Sequence, residues 1–596
     1  MKRNTLLLCF YFIMQSSCLL ASRPQVTVIM VVDQFAAHYF SKLGCFFKHG
    51  IKELLDNGLV YQNANYPHAM PSTGPGHAAL STGCYPKDHG IVGNNWCTPQ
   101  GVSVACDDDD PCKAAVINPI TGRCYGNGKG PGNIMVDSIS DQFMMANQPE
   151  SPRAVFSVSL KSRSAICTSN RMGKAIWLDG KTGHFTSSKA YFNQLPRWLK
   201  QFNQQHNLGS LSKVQWPLFY DRNSPEYDFK NIDNYSFAQR ASIVGTTVSI
   251  DHHDKYPFAL FDMTPAANQL IFDLATHCIQ TQLQQNPCQE LLIWVCLSSL
   301  DIVGHTYGPQ SREAIDMIYH LDYQIQQFMN KLGTLLNSTD ILFGLTADHG
   351  VSPIPELLEQ EGFPTALRIN YADLIPALNR TIKNKFDIDA LVDNCMSAQL
   401  YIKEKKWNSL TTEQQTESIS LLKNILQNHR GIKQVWTVQE LQERSFPTDA
   451  IEFFYKNQIY PGRTGTLIVQ PFPYCVIDNH NLGTGHRTPY ESDTHVPLIL
   501  YQKNSFKPQH INQTVWTLQL APTLANLIGI QKPSACIMPL LPGIYEPVAI
   551  LPKKPITKKE THEETPTHST PLPLFRRKSP SRMPIMQCSS LPCQSE

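Results

Sequence analysis

Three runs of apolar residues, each followed closely by an acidic residue, constrain the fold of this chain most strongly. Residues 26–32 form a continuous, largely β-branched run that ends at Asp33. Residues 291–297 and 341–345 form similar runs, and the segments SLDIVGH and TADHG follow them. Uninterrupted apolar runs of this length are typical of strands buried on both faces of a parallel sheet. We therefore predict three buried strands that end near carboxylate groups.

The segment between the second and third runs has a helical pattern. Apolar residues recur at helical spacing from residue 315 to residue 335. A helix that connects two strands of one sheet implies that the strands are parallel. We predict an α/β fold with a mostly parallel sheet sandwiched by helices, with inserted loops or cap segments. Ligands of such sheets bind beyond the carboxyl ends of the strands.

The N-terminus has the features of a secretory signal. Lys2 and Arg3 precede an apolar run at residues 6–14, and small residues follow at positions 21 and 22. This pattern predicts a signal peptide over residues 1–21 and an exported protein, periplasmic or secreted. The apolar run is too short to span a bilayer comfortably, and no later segment is long and apolar enough. We expect no stable membrane span after signal cleavage.

Composition sets the remaining limits. The chain has 596 residues, which fits a catalytic domain over residues 22–546. From about residue 553 the sequence is rich in Lys, Pro, Thr, Ser and Glu, which predicts a disordered tail over residues 547–596. The formal net charge of +2 gives no basis for nucleic-acid binding, and we expect a monomer.

The cysteines and a short acidic run suggest local features. Four cysteines cluster in a segment rich in Gly and Asp: Cys97, Cys106, Cys112 and Cys124. Their spacing lacks the paired C-x2-C units of a structural zinc site, so we predict disulfides of open pairing. Cys167 and Cys296 are predicted to be buried thiols. Residues 107–110 are all Asp but lack the spacing of an EF-hand, and we interpret them as a solvated acidic loop.

Carboxylates and histidines at the predicted strand ends suggest a metal centre. The candidate ligands are Asp33, Asp301, His305, Asp348, His349 and His486. Each residue alone has an ordinary interpretation, as a helix cap or as an exposed histidine. Together, mixed Asp and His sets favour zinc or a similar divalent ion, and six ligands suffice for two open sites. Two metals roughly 4 Å apart can clamp the attacking and leaving oxygens of an in-line displacement.

The segment PSTGPGHAALSTG, residues 71–83, predicts the start of a helix near Thr73. Helix N-termini bind phosphate through free N–H groups and the helix dipole. A hydroxyl held there beside a metal would lose its proton readily and could attack phosphorus. The alternative is that Thr73 serves only as a helix cap.

Five motifs in order give the chain a family resemblance. TGPGHAALSTG, HGIVGNNW, DIVGHTYGP, ADHG and GTGHRTPY resemble the alkaline phosphatase superfamily, specifically its exported PafA-type members with a threonine nucleophile. The similarity extends from about residue 25 to about residue 545. The resemblance implies the fold predicted above and two zinc ions, although Asp and His ligands also serve other divalent metals.

The resemblance also implies roles for individual residues. Thr73 matches the nucleophile. One zinc would be held by Asp33, Thr73, Asp348 and His349, and the other by Asp301, His305 and His486. His77 and His495 match family positions that are not ligands.

Three further residues bear on the substrate. Asn94 matches an asparagine that contacts a phosphoryl oxygen in monoesterases and phosphodiesterases alike. Lys161 and Arg163 stand in the alternating segment VFSVSLKSRSAI, where positions i and i+2 of a strand share a face. Two cations there need an anion, unless they are a solvated pair on an edge strand. Their K-x-R pattern resembles the pair that marks the PafA-type monoesterases.

The predicted function is therefore hydrolysis of small phosphate monoesters through a phosphothreonine intermediate. One alternative is a phosphodiesterase or nucleotide pyrophosphatase on the same metal core. Another is a non-catalytic, metal-binding exported protein. Arg487 departs from the resemblance, since many relatives have Gly there; the added cation alters substrate preference or is simply exposed.

Overall fold

The computed structural model describes residues 23–544. The predicted signal peptide and the predicted C-terminal tail lie outside the described residues, and the domain boundaries stay predictions. Within residues 23–544, no helix has the length and apolar character needed to cross a membrane.

The strands of the described chain are β1 Val26–Val32, β2 Leu59–Asn65, β3 Asn95–Cys97, β4 Ser103–Ala105, β5 Asp108–Asp109, β6 Ala115–Ile117, β7 Cys124–Lys129, β8 Arg153–Ser159, β9 Lys174–Asp179, β10 His184–Thr186, β11 Lys213–Gln215, β12 Thr247–Ser249, β13 Glu290–Leu297, β14 Ile341–Thr346, β15 Arg368–Asn370, β16 Val392–Met396, β17 Gln399–Ile402, β18 Ile432–Thr437, β19 Leu467–Pro471, β20 Val476–Asp478, β21 His495–Tyr501 and β22 Gln509–Trp516.

The α-helices are α1 His38–Leu43, α2 Gly50–Asn57, α3 Thr73–Thr82, α4 Pro86–His89, α5 Pro111–Ala114, α6 Ile139–Met145, α7 Ser162–Ser169, α8 Arg197–Gln205, α9 Ala259–Asp262, α10 Pro265–Gln285, α11 Ser299–Tyr307, α12 Arg312–Gly333, α13 Pro355–Gln360, α14 Tyr371–Phe386, α15 Glu404–Trp407, α16 Thr412–Gln427, α17 Val438–Glu443, α18 Ile451–Lys456, α19 Glu491–Thr494 and α20 Leu520–Ile528.

A nine-stranded sheet forms the centre of the fold, in the order β10-β9-β8-β13-β1-β14-β21-β2-β22. The strands from β9 to β14 in this order are parallel to one another, and β10 and β21 run antiparallel to their neighbours. Every residue of β1 is buried, as its uninterrupted apolar sequence requires. The predicted mostly parallel α/β sheet is confirmed.

The register of the three central strands brings their carboxyl ends to one edge. Val32 of β1 lies opposite Leu297 of β13, and Val31 lies opposite Thr346 of β14. The helices α11 and α12 connect β13 to β14, and α12 packs a long apolar face into the core. The segments that follow β1, β13 and β14 therefore start side by side.

A second, smaller sheet is inserted between β14 and β21. Its order is β16-β17-β19-β18, and all its strands are antiparallel. Apolar residues of α14 and α16 pack with it in a hydrophobic cluster of their own, for example Leu378, Ile382, Leu422 and Leu426. This region is an inserted segment of the kind that the sequence analysis predicted.

The prediction of disulfides was wrong. The cysteines between residues 23 and 544 are all free thiols, so the predicted disulfides of the cluster at residues 97–124 are not formed in this structure. Cys97 and Cys106 are packed in an apolar cluster around Trp96, whereas Cys112 and Cys124 lie at the surface. The buried state predicted for Cys167 and Cys296 is found.

The acidic run is not a solvated loop throughout. Asp107 is only 4% exposed. Its carboxylate pairs with Lys129 at 2.7 Å and accepts a hydrogen bond from the hydroxyl of Ser162 at 2.5 Å. Because Ser162 is the first residue of α7, this contact holds the start of that helix.

Candidate active site

Three buried carboxylates meet at the edge of the central sheet. Asp33 directly follows β1, Asp301 lies in the first turn of α11, and Asp348 comes two residues after β14. Their exposed fractions are 1%, 5% and 0%. Burial and the negative charges of Asp301 and Asp348 raise the pKa of Asp33. Three carboxylates gathered in so little water require cations close by.

Lys161 supplies one such cation. Its Nζ lies 2.6 Å from Asp33 Oδ2 and 2.5 Å from Asp301 Oδ2. Burial lowers the pKa of this ammonium, but Asp301 and Asp33 outweigh burial and raise it above its ordinary value. In this structure, therefore, the partners of Lys161 are two carboxylates of the candidate metal centre.

The predicted strand position of Lys161 and Arg163 was wrong. The strand β8 ends at Ser159, and Lys161 is the N-cap residue of α7. Arg163 lies in the first turn of that helix and is half-buried. The two cations therefore lie at a strand-to-helix turn and do not share a face of a strand.

Backbone carbonyls fix the orientation of the three candidate histidine ligands. Each Nδ1 is within hydrogen-bond distance of a carbonyl oxygen: His305 with Thr484 at 2.7 Å, His349 with Gly350 at 2.9 Å and His486 with Pro71 at 2.9 Å. Since a carbonyl can only accept, Nδ1 carries the proton and Nε2 is left as the ligand atom. This is the usual arrangement of metal-binding histidines.

Two groups of side chains have the spacing of a metal site. The ligand atoms of Asp301, His305 and His486 all lie within 4.8 Å of one another, which is one of the two predicted sets. The same holds for Asp33, Asp301 and His349. Asp301 thus belongs to both groups, a sharing that the sequence did not indicate.

Asp348 is in neither of these two groups, although the sequence analysis placed it in one set with Asp33 and His349. Its Oδ2 lies 3.5 Å from His349 Nε2 and 3.2 Å from His77 Nδ1. Burial raises the pKa of Asp348, but His349 and His77 outweigh burial and lower it to about 2. Burial lowers the pKa of His349, and Asp348 and Asp33 reverse this effect and raise it to about 9. The charges of this carboxylate and of the two histidines thus strongly affect one another's pKa values.

The residues present fit a divalent metal. Within the described chain, the buried polar atoms that converge here without a hydrogen-bond partner include Asp33 Oδ1, Asp348 Oδ2 and His349 Nε2. Buried polar atoms without partners are rare in folded proteins. A set of carboxylate oxygens and an imidazole nitrogen is a donor set that zinc and similar divalent ions accept.

The helix α3 brings Thr73 to this cluster. Thr73 is the first residue of α3 and is 2% exposed, while the N-cap residue is Ser72. A Cβ atom at Gly76 would lie 2.1 Å from the carbonyl oxygen of Asp348, so only glycine allows the helix to approach this closely. The N-terminus of α3 is therefore in contact with the loop that follows β14.

Asn94 contacts the same helix start. Its Oδ1 accepts a hydrogen bond from the backbone N–H of Gly74 at 2.7 Å. Because the amide oxygen is used in this way, the amide nitrogen of Asn94 is the group that can donate to a ligand. Asn94 thus lies next to Thr73 and is half-buried.

Sequence reasoning missed Gln34. Its backbone N–H donates to Asp348 Oδ1 at 3.1 Å, and its Nε2 donates to Asp301 Oδ1 at 2.9 Å. Its φ of 70° is uncommon for a residue with a side chain. A Cβ atom at Gly304 would lie 1.7 Å from Gln34 Oε1, so a glycine in α11 makes room for it. The one sequence signal for Gln34 was its position directly after Asp33.

An α/β fold that gathers buried carboxylates, imidazoles and a helix-borne hydroxyl at one sheet edge is suited to metal-dependent hydrolysis of phosphoesters. The Type I phosphodiesterase / nucleotide pyrophosphatase family matches residues 27–495, and the chain belongs to this family.

Similar proteins agree with this assignment. The chain is 28% identical to alkaline phosphatase PhoV of Synechococcus elongatus, over 87% of this chain and 92% of that protein. It is also 28% identical to alkaline phosphatase PafA of Elizabethkingia meningoseptica, over 86% and 93%. A crystal structure of wild-type alkaline phosphatase PafA has a TM-score of 0.76 and 25% identity and covers 87% of this chain and 98% of its own. The predicted resemblance is confirmed.

Proposed function

We propose that this protein is an exported phosphatase that hydrolyses phosphate monoesters, with Thr73 as nucleophile and two zinc ions as cofactors. One observation carries the proposal. Three buried aspartates lie close to three histidines whose Nδ1 atoms bond backbone carbonyls, and α3 packs against the loop that follows β14. The packing of α3 against this cluster supports a role for its hydroxyl and its N-terminus beside a divalent-metal donor set.

The proposed metal ligands would form two sets. Asp33, Asp348 and His349, with Thr73, would hold one ion, and Asp301, His305 and His486 would hold the other. Two bound dications would stabilise negative charge on the attacking and the leaving oxygen of the substrate. The orphaned atoms of Asp33, Asp348 and His349 support the first set, and the close spacing of the second group supports the other.

Thr73 would be the group that attacks phosphorus. It is the first residue of α3, where the positive end of the helix dipole favours an anion. The hydroxyl oxygen would form a bond to phosphorus as the bond to the leaving oxygen breaks. Water would then hydrolyse the phosphothreonine and restore Thr73.

The preference for monoesters rests on three further residues. Asn94 would donate its amide N–H to a nonbridging oxygen, and Lys161 and Arg163 would add positive charge. A monoester dianion has more charged oxygens than a diester, so these contacts favour it. Lys161 pairs here with Asp33 and Asp301, whose charge divalent ions would neutralise, and its ammonium would then be available to the phosphoryl group.

The second candidate function is hydrolysis of diesters or nucleotide pyrophosphates on the same core. The description of the family itself favours this candidate. A substrate comparison separates the two functions, because phenyl phosphate and methyl phenyl phosphate share a leaving group and differ by one ester bond.

The experiment is steady-state hydrolysis of these two compounds by the mature wild-type protein and by Thr73→Ala. We expect the wild type to prefer the monoester and Thr73→Ala to lose about 10³-fold or more in kcat, as happens when a nucleophile is removed. The metal content of the variant should persist in part, because six other ligands remain.

Thr82→Ala is the matched control. Thr82 lies on the same helix, and its hydroxyl donates to the carbonyl of Ala78 at 2.6 Å, away from the proposed chemistry. This control should keep most of the activity. Wild-type turnover in Thr73→Ala would refute the nucleophile assignment, and a preference for the diester would support the second candidate instead.

A further inference from the structure

Arg487 has an unusual backbone conformation. Its φ is 88°, in the left-handed region that favours glycine. Gln34, with a φ of 70°, is the other non-glycine residue of this kind that the described chain places at the site. Gln34 bonds two of the aspartates with its strained backbone and side chain. Strained residues that cluster at such a site indicate a function that the surrounding structure maintains.

The side chain of Arg487 is also unusual, because it lacks a counter-ion. In residues 23–544, its Nε is buried without a hydrogen-bond partner, and no carboxylate lies within 4.0 Å of the guanidinium. Lys161, in contrast, pairs with two carboxylates of the same site. A half-buried guanidinium with free donors is suited to an external anion.

The position of Arg487 indicates which end of the substrate would carry that anion. It directly follows His486, which belongs to the group with Asp301 and His305. The charge of Arg487 opposes the rise that burial gives the pKa of Tyr371, the first residue of α14. Arg487 therefore lies towards the proposed leaving-oxygen set, whereas Asn94 contacts α3 at the nucleophile.

We propose that Arg487 is a specificity-determining residue that binds an anionic group on the leaving part of the substrate, either a carboxylate or a second phosphate. This inference rests on the proposed function, because only a phosphoester hydrolase has a leaving group to bind. The preferred substrates are then phosphate monoesters whose alcohol is itself negatively charged. Arg487 binds that charge through its N–H donors and takes no part in bond breaking.

The test uses three aryl phosphates: phenyl phosphate, 3-carboxyphenyl phosphate and 3-carbamoylphenyl phosphate. The last two have nearly the same shape and differ in charge. We expect the wild type to have a kcat/KM roughly tenfold higher for the carboxylate than for the amide, the usual effect of one charge-assisted hydrogen bond. The difference should lie mainly in KM, since the contact exists in the ground state as well as in the transition state.

Arg487→Gly removes the charge and suits the backbone conformation. It should abolish the preference for the carboxylate and leave phenyl phosphate turnover within a few-fold. Arg487→Asn provides a second neutral variant that tolerates a positive φ, and Arg487→Lys should keep part of the preference. Asn504→Gly is a control for the backbone effect, because Asn504 has a φ of 63° in a turn between β21 and β22.

The outcomes separate the two claims. An unchanged carboxylate-to-amide ratio in the neutral variants, or a wild type without preference, would overturn this inference and leave the proposed function intact. No hydrolysis of phenyl phosphate by the metal-loaded wild type would overturn the proposed function and this inference with it.

Discussion

The two halves of the site are built in different ways. The candidate metal ligands of the first half follow the central strands β1, β13 and β14, except His486, which lies in the loop between β20 and α19, and all but His305 are buried. The second half consists of Thr73, Asn94, Lys161 and Arg163, which stand on helix starts and one loop. The difference shows that the sheet gives a rigid frame for metal binding, while the proposed phosphate contacts depend on how separate segments pack against that frame.

The broadest test of the metal half is removal of divalent ions with a chelator. We expect activity on phenyl phosphate to fall below detection, because the proposed charge stabilisation at both oxygens is lost. Far-ultraviolet circular dichroism should stay close to that of the untreated protein, since the hydrophobic core does not involve the site. Restoring zinc, manganese or cobalt in turn should identify the active metal. Full activity in the chelated protein would show that the first half of the site does not act through bound metal.

Asp301 should have a larger effect than the ligands around it. Because it belongs to both groups of ligand atoms, Asp301→Asn should reduce binding at both sites and lower kcat by about 10³-fold or more. His305→Gln should reduce the metal content at one site only. Elemental analysis of the purified variants measures the number of ions per chain. Equal metal loss in the two variants would show that Asp301 is not shared.

Substitutions in the second half of the site, which holds the proposed phosphate contacts, should lower activity without loss of metal. Lys161→Ala and Arg163→Ala should each lower kcat/KM for phenyl phosphate by roughly 10- to 100-fold, through loss of charge-assisted contacts. Methyl phenyl phosphate should be affected less, because it has less charge. The informative control is Lys423→Ala, a lysine paired with Glu440 outside the metal cluster. Unchanged monoester turnover in both site variants would move the protein to the diesterase candidate.

Gln34 should give the smallest effect of the series. Gln34→Ala removes the hydrogen bond to Asp301 Oδ1, and we expect a 10- to 100-fold loss of metal affinity with little change in kcat at saturating metal. A metal titration followed by activity measures this shift. Gln34→Glu tests the geometry, since it keeps the shape but adds repulsion among the carboxylates. An unaltered titration for both variants would show that Gln34 does not orient Asp301.

The strands were predictable because continuous apolar, β-branched runs have few alternatives in an α/β protein. The run at residues 341–345 became the strand Ile341–Thr346, and the run at residues 291–297 became Glu290–Leu297. The helical spacing from residue 315 led to Arg312–Gly333, although Leu335 lies beyond the end of that helix.

The segment around Lys161 was misread for a physical reason. Its alternating pattern is typical of a strand, but a short helix that begins at Ser162 leaves the same pattern of apolar and polar residues over so few positions. The contact of Ser162 with Asp107, 55 residues away in sequence, holds that helix start. Periodicity within the segment contains no information about such a partner.

The sequence by itself determined the chemical groups and the three central strands, since both follow from residue type and local pattern. The tertiary structure alone decided that Asp301 joins both ligand groups, that Gln34 bonds two aspartates and that Lys161 pairs with carboxylates. The contact that orients His486 comes from the carbonyl of Pro71, 415 residues earlier. Contacts over such separations arise only when the chain has packed, because side-chain geometry depends on neighbours that no local pattern specifies.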